Sequence, residues 1–174
     1  DLESVIREAQ HRLRLRPRQT VLYGRSAGGV PVGAIVARWP KGDFVGAAFT
    51  EVPYVDVLRT STNPDLPLTV GEYKEFGNPH HRLVNFRETL HVSPINSLPA
   101  EGAPGVFVLT RVGLEDKQVY AYESFKWIQR LRGHVSPSSA SAASASASSA
   151  SSASDEDPKQ KYIAFERHER HVYR

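Results

Sequence analysis

Apolar residues open the chain at Leu2, Val5, Ile6, Ala9 and Leu13, and those intervals of three and four predict a helix with one buried face. Pro17 stops that helix. Thr20-Val21-Leu22-Tyr23 is a short, mostly apolar run of the kind a buried parallel strand shows, and Gly24 ends it. A second helix is predicted from about Gly29 to Trp39, closed by Pro40, and a second strand from Val45 to Phe49, closed by Val52-Pro53. The stretch from Tyr54 to His91 is rich in Pro, Asn and Gly and reads as short helices and loops over one end of a sheet. Val106 to Thr110 is the clearest strand pattern. Val119 to Arg132 is amphipathic and stops at Gly133, and Tyr162 to Phe165 forms a last strand. Helices alternating with apolar strands predict an α/β fold, with a mostly parallel sheet covered by helices on both faces.

One segment breaks the pattern. Every residue from Ser138 to Ser154 is Ser or Ala, and Asp155-Glu156-Asp157 follows. Nothing there is large enough to bury, so it reads as a disordered insert between a helix and the last strand. The chain thus divides into a main α/β segment (1–134), a low-complexity insert (135–160), and the last strand with its following loop (161–174), which belongs to the same domain.

Composition narrows the classes. A chain of 174 residues with 40% hydrophobic and 24% charged residues suits one globular domain. It has no Cys, which excludes disulfides, thiolate nucleophiles and thiolate zinc sites. His residues are scattered without H-E-x-x-H spacing, so no metal or cofactor is expected. The net charge is +3, and the cluster Arg12, Arg14, Arg16, Arg18 reads as a solvated helix end rather than a nucleic-acid surface. No apolar run reaches the ~18–20 residues of a membrane span. Asp1-Leu2-Glu3 lacks the features of a secretion signal, and there is no Met. The expectation is therefore a cytoplasmic protein, read from an excised segment or an incomplete gene model.

Gly24-Arg25-Ser26-Ala27-Gly28 is G-x-S-x-G, set directly after a strand and before a helix. A very sharp strand-to-helix turn holds such a Ser in strained backbone, so the residues two positions away must be nearly free of side chain. The hydroxyl then stands above the sheet, and the N–H of Ala27 is a candidate oxyanion donor. A nucleophilic Ser needs a His to take its proton and a carboxylate to orient that His. On this fold the order is Ser, acid, His, each on a loop after a strand. Asp116 is well placed after the strand ending near Thr110, with Glu115 as the competing carboxylate. His168 and His171 both follow the last strand; His80, His81, His91 and His134 fall outside that order and read as surface residues.

With these residues in view, the chain resembles the prolyl oligopeptidase family of serine peptidases. Beyond the serine motif with Gly29, Val52-Pro53-Tyr54-Val55-Asp56-Val57 and Leu66-Pro67-Leu68-Thr69-Val70-Gly71-Glu72 look like its oligopeptidase B branch. So do Phe76-Gly77-Asn78-Pro79, Ser93-Pro94 and Gly113-Leu114-Glu115-Asp116. The resemblance runs from Asp1 to about Gly133 and resumes at Lys161. It implies a partial α/β-hydrolase fold with Ser26 as nucleophile, Asp116 as acid and His171 as base, and Glu72 near the pocket for a basic substrate side chain. It also implies short peptides as substrates. Family members carry a β-propeller and the first sheet strands upstream, with a Tyr there as second oxyanion donor. Three positions depart from the family pattern: Arg170 replaces the Gly before the His, Lys74 replaces a second acid, and Pro31 stands inside the second helix.

The residues leave three functions open: a serine peptidase, an esterase of the same fold, or a non-catalytic hydrolase segment serving as an interaction module.

Overall fold

Chain order and spatial order coincide in the sheet. The computed structural model describes residues 1–133 and the backbone of 162–167. The strands β1 (Val21–Arg25), β2 (Ala47–Glu51), β3 (Phe107–Gly113) and β4 (Tyr162–Arg167) lie side by side in that order. Every neighbouring pair is parallel. The helices between them are α1 (Leu2–Leu13), α2 (Gly29–Arg38), α3 (Val57–Ser61), α4 (Thr69–Phe76), α5 (Leu83–Val92), α6 (Pro94–Ser97) and α7 (Ala121–Leu131). Parallel neighbours require crossovers, and the stretch from 54 to 97 supplies its crossover as a succession of short helices.

Strand periodicity sorts the side chains. Leu22, Ala48 and Val108 point into the main core, where they meet Val32 and Val36 of α2 and Trp127 and Leu131 of α7. Thr50 and Thr110 lie on that same buried face, opposite each other in register. Their hydroxyls bond at 2.9 Å, so neither is buried without a partner. The other face begins with the row Val21, Ala47 and Phe107. There Val21 is 62% exposed, Tyr23 59% and Phe107 50%. Helical cover on both faces was the expectation. Among the described residues, the helices cover the Leu22 face.

The first helix ends earlier than Pro17 suggests. It stops at Leu13, because Arg14 takes a left-handed backbone (φ 53°) and Leu15 N–H bonds back to Gln10 O at 2.9 Å. Pro17 instead opens a single 3-10 turn, where its missing N–H costs nothing. The apolar stripe is also narrower than predicted. Ile6 is buried and Leu2 half-buried, while Val5 (64%) and Leu13 (67%) face outward. Gln10 completes the inner face by donating to Thr20 Oγ1 at 3.0 Å and to Phe44 O at 2.8 Å. No described helix is long and apolar enough to cross a membrane.

Candidate active site

β1 runs directly into a 3-10 turn, Ser26–Gly28, and that turn into α2. Ser26 has φ 52°, in the left-handed region. For a residue with a Cβ this costs on the order of 1–2 kcal/mol, so the surroundings must impose it. They do so through the loop after β2. Tyr54 N–H donates to Ser26 O at 2.9 Å. Pro53 lies so close to Gly29 that a Cβ there would sit 2.6 Å from Pro53 Cβ. At Gly24 a Cβ would meet Gly28 O at 2.4 Å.

The sequence motif put the second steric demand on Gly28. The structure moves it one residue on: nothing lies within 4 Å of a Cβ built at Gly28, and its φ of −62° suits any residue. Ala27 is exposed and lines a cavity of about 790 Å³ with Val30, Pro31, Phe76 and others. Pro31 is the third residue of α2, in the first turn, where no intrahelical acceptor waits for its N–H. Its cost as an interior helix residue therefore does not arise.

Asp116 follows β3 and is 3% exposed, whereas Glu115 beside it is exposed. The two carboxylates that the sequence left in competition thus differ in exposure. Asp116 Oδ1 accepts from Gln118 N–H at 2.8 Å and from Val119 N–H at 3.0 Å, so its own loop fixes the plane of the carboxyl. Ser26 and Asp116 thus sit past the carboxyl ends of β1 and β3, with one strand between, a lateral span of about 10 Å. The end of β4 is level with that of β3, Arg167 opposite Gly113. His168, His171, His134 and Arg170 lie outside the described residues, as does the Ser/Ala tract. His80, His81 and His91 are exposed, and His80 Nε2 lies 2.9 Å from Thr62 O.

Glu72 is half-buried on α4. Burial raises its carboxyl above the ordinary range, the nearby Tyr54 hydroxyl opposes that rise, and Glu75 adds to it. The Tyr54 ring packs edge-on against Phe76 at 5.9 Å, and its own hydroxyl is raised, chiefly by burial. That hydroxyl approaches Glu72 and Ser61 without a hydrogen bond of good geometry. Lys74 is exposed. Two residues along a helix is a rotation of about 200°, so its charge projects away from Glu72.

One buried group escaped the sequence reading. Glu123 on α7 is 1% exposed. Its Oε2 accepts from Val55 N–H at 3.1 Å and Asp56 N–H at 2.9 Å, and its Oε1 from the Thr60 hydroxyl at 3.0 Å. The visible signal was an acid four residues before Trp127 and eight before Leu131, inside the stripe that faces the core. Burial pushes its carboxyl up to about 7, against the opposing effect of those hydrogen bonds and with a further rise from Asp56. Asp56 is itself buried and ion-paired with Lys126; Tyr54, Tyr122 and Arg59 are the other titratable or charged groups nearby.

A carboxyl that titrates near 4.5 in the unfolded chain and near 7 in the folded one keeps its proton on folding between those values. Stability then falls as pH rises through that window, by on the order of 3 kcal/mol. Glu123→Gln is expected to flatten this slope. Urea midpoints at about pH 5 and about pH 8 should differ in the wild-type chain and draw together in the variant.

Comparison with known proteins gives a consistent family. Residues 1–154 match the model described as the prolyl oligopeptidase family. A dipeptidyl aminopeptidase BI from Pseudoxanthomonas mexicana is 41% identical over 109 residues, which is 63% of this chain and 14% of that protein. Protease 2 from Moraxella lacunata is 33% identical over 116 residues, or 67% of this chain and 16% of that protein. Among solved structures, oligopeptidase B from Leishmania major is 33% identical with a TM-score of 0.66, covering 74% of this chain and 17% of that one. Oligopeptidase B from Trypanosoma brucei, in a closed form with covalently bound antipain, is 35% identical with a TM-score of 0.62, covering 74% of this chain and 18% of that one. The chain therefore has part of an α/β-hydrolase fold and spans about a sixth of the length of these relatives.

Proposed function

The chain belongs to the prolyl oligopeptidase family, and on that premise we propose that it is a catalytic segment of a serine peptidase acting on short peptides. Ser26 Oγ attacks the scissile carbonyl carbon while His171 takes its proton. The tetrahedral oxyanion is held by Ala27 N–H; the C–N bond then breaks, and His171 returns the proton to the leaving amine. Water hydrolyses the acyl-enzyme by the same steps in reverse order. Asp116 orients the imidazole from its buried, loop-fixed position. The observation that carries this reading is the left-handed Ser26 at a strand-to-helix turn clamped from the neighbouring loop. Strain of that kind persists where the geometry of one side chain matters.

Glu72 stands as the acid that would meet a basic substrate side chain. With Lys74 turned away, a charged hydrogen bond there would contribute about 1.5–3 kcal/mol. The covalently bound antipain in the Trypanosoma brucei relative supports a covalent mechanism in this family.

The test is covalent labelling of the purified chain by a fluorophosphonate probe, with the adduct located by peptide mass spectrometry. The expected result is a single adduct on the peptide containing Ser26. An unlabelled Ser26, in a chain that circular dichroism shows to be folded, counts against the proposal. A labelled chain is then offered short peptides with Arg, Lys or Pro before the scissile bond.

A further inference from the structure

We propose that Glu123 is a positioning residue for the nucleophile, holding Ser26 in its turn through the segment from Pro53 to Asp56. This rests on Ser26 being the nucleophile. Three contacts in succession form the relay. Glu123 Oε2 takes the N–H groups of Val55 and Asp56, at 3.1 and 2.9 Å. The residue before them, Tyr54, gives its N–H to Ser26 O at 2.9 Å. Pro53, before that, fills the space over Gly29, where a Cβ would come within 2.6 Å of it. The segment enters this arrangement through Val52 at φ 39°, which a β-branched residue adopts only under constraint.

The choice of an acid is otherwise costly. Glu123 occupies a stripe with Trp127 and Leu131, where an aliphatic side chain would pack without desolvating a carboxyl. What the carboxyl supplies is an acceptor for two backbone N–H groups in a loop that has no strand or helix to satisfy them. The Thr60 hydroxyl occupies the other oxygen and fixes the rotamer. Glu123 also lies in the first turn of the helix that follows the Asp116 loop. Val119 of that loop packs with Tyr54, Val57 and Val30 of α2. One carboxyl thus ties the helix after the Asp116 loop to the loop that clamps the nucleophile. Losing its acceptors frees Val55 and Asp56, then the Tyr54–Ser26 bond, and Ser26 relaxes from its strained backbone.

The test compares the full chain with Glu123→Ala and Glu123→Gln, reading saturation kinetics of fluorophosphonate labelling and NMR exchange of individual amides. Glu123→Ala is expected to lower the maximal labelling rate by on the order of 10–100-fold with the probe's half-saturation unchanged. Glu123→Gln keeps an oxygen for the same two N–H groups and should label close to the wild-type rate. Where the Ala chain does not fold, Glu123→Leu fills the same space without an acceptor. In either apolar variant the Tyr54 amide should exchange at least about tenfold faster while the amides of β2 remain protected. A folded apolar variant that labels at the wild-type maximal rate overturns the proposal, as does a Gln variant that falls as far as Ala. So does faster exchange at Val55 and Asp56 with Tyr54 unchanged, and that readout needs no labelling. A wild-type chain that never labels speaks against Ser26 as nucleophile, and the exchange of Tyr54 still decides the relay.

Discussion

Asp116→Asn is expected to slow covalent labelling of Ser26 by roughly 10³–10⁴-fold while leaving the fold in place. The reason is in how the carboxyl is held. Its Oδ1 already accepts from the N–H groups of Gln118 and Val119, and the Asn carbonyl oxygen can accept both in the same way. The amide nitrogen then replaces Oδ2, presenting a donor where a histidine that serves as base needs an acceptor. The imidazole is turned to the wrong tautomer, and the proton of Ser26 has nowhere to go. Labelling rates of wild type, Asp116→Asn and Ser26→Ala, measured beside their urea midpoints, check this. Ser26→Ala sets the floor. An Asn chain that labels as fast as wild type removes Asp116 from the site, and an equal effect of Glu115→Gln would give the role to Glu115.

The second large effect is on stability, at Gly24. Its Cβ in an Ala variant would lie 2.4 Å from Gly28 O and 2.8 Å from a Val32 methyl. The carbonyl belongs to the turn that presents Ser26, so it moves only if the turn opens. Gly24→Ala should therefore cost about 3 kcal/mol, read as a lower urea midpoint with an unchanged slope. Gly28→Ala makes the control within the same motif. With open space around it and φ −62°, it should be neutral or stabilise by about 0.4–1 kcal/mol through the unfolded chain. Equal losses at both positions would contradict the packing described for the turn.

That contrast also shows what a sequence conveys and where it stops. The strands were legible to within a few residues, because runs such as Val106–Thr110 carry their burial in their composition. The serine turn was legible from Gly24, Ser26 and the helix beyond. Which glycine is sterically required depends on Pro53, a residue brought in by another crossover, and no local pattern holds that information. α1 shows the same limit. Its stripe of Val5, Ala9 and Leu13 is as regular as that of Leu2, Ile6 and Gln10, but the second faces Phe44 and Thr20. From 54 to 97 the helices are short and weakly amphipathic, so composition announced a mixed region and not its elements. Glu123 was readable in principle, since an acid on a core-facing stripe demands donors. Naming those donors required the fold.

The order of the sheet has a practical consequence. Among the described residues, β4 sits at the end of the row β1-β2-β3-β4 and bonds to β3 alone. Residues 161–174 are within reach of solid-phase synthesis, so the protein can be divided there and the last strand added back as a peptide. Each synthetic copy can carry a different imidazole analogue at His171, with its own basicity. A histidine that genetic substitution can only delete becomes a group whose proton affinity is dialled by the chemist.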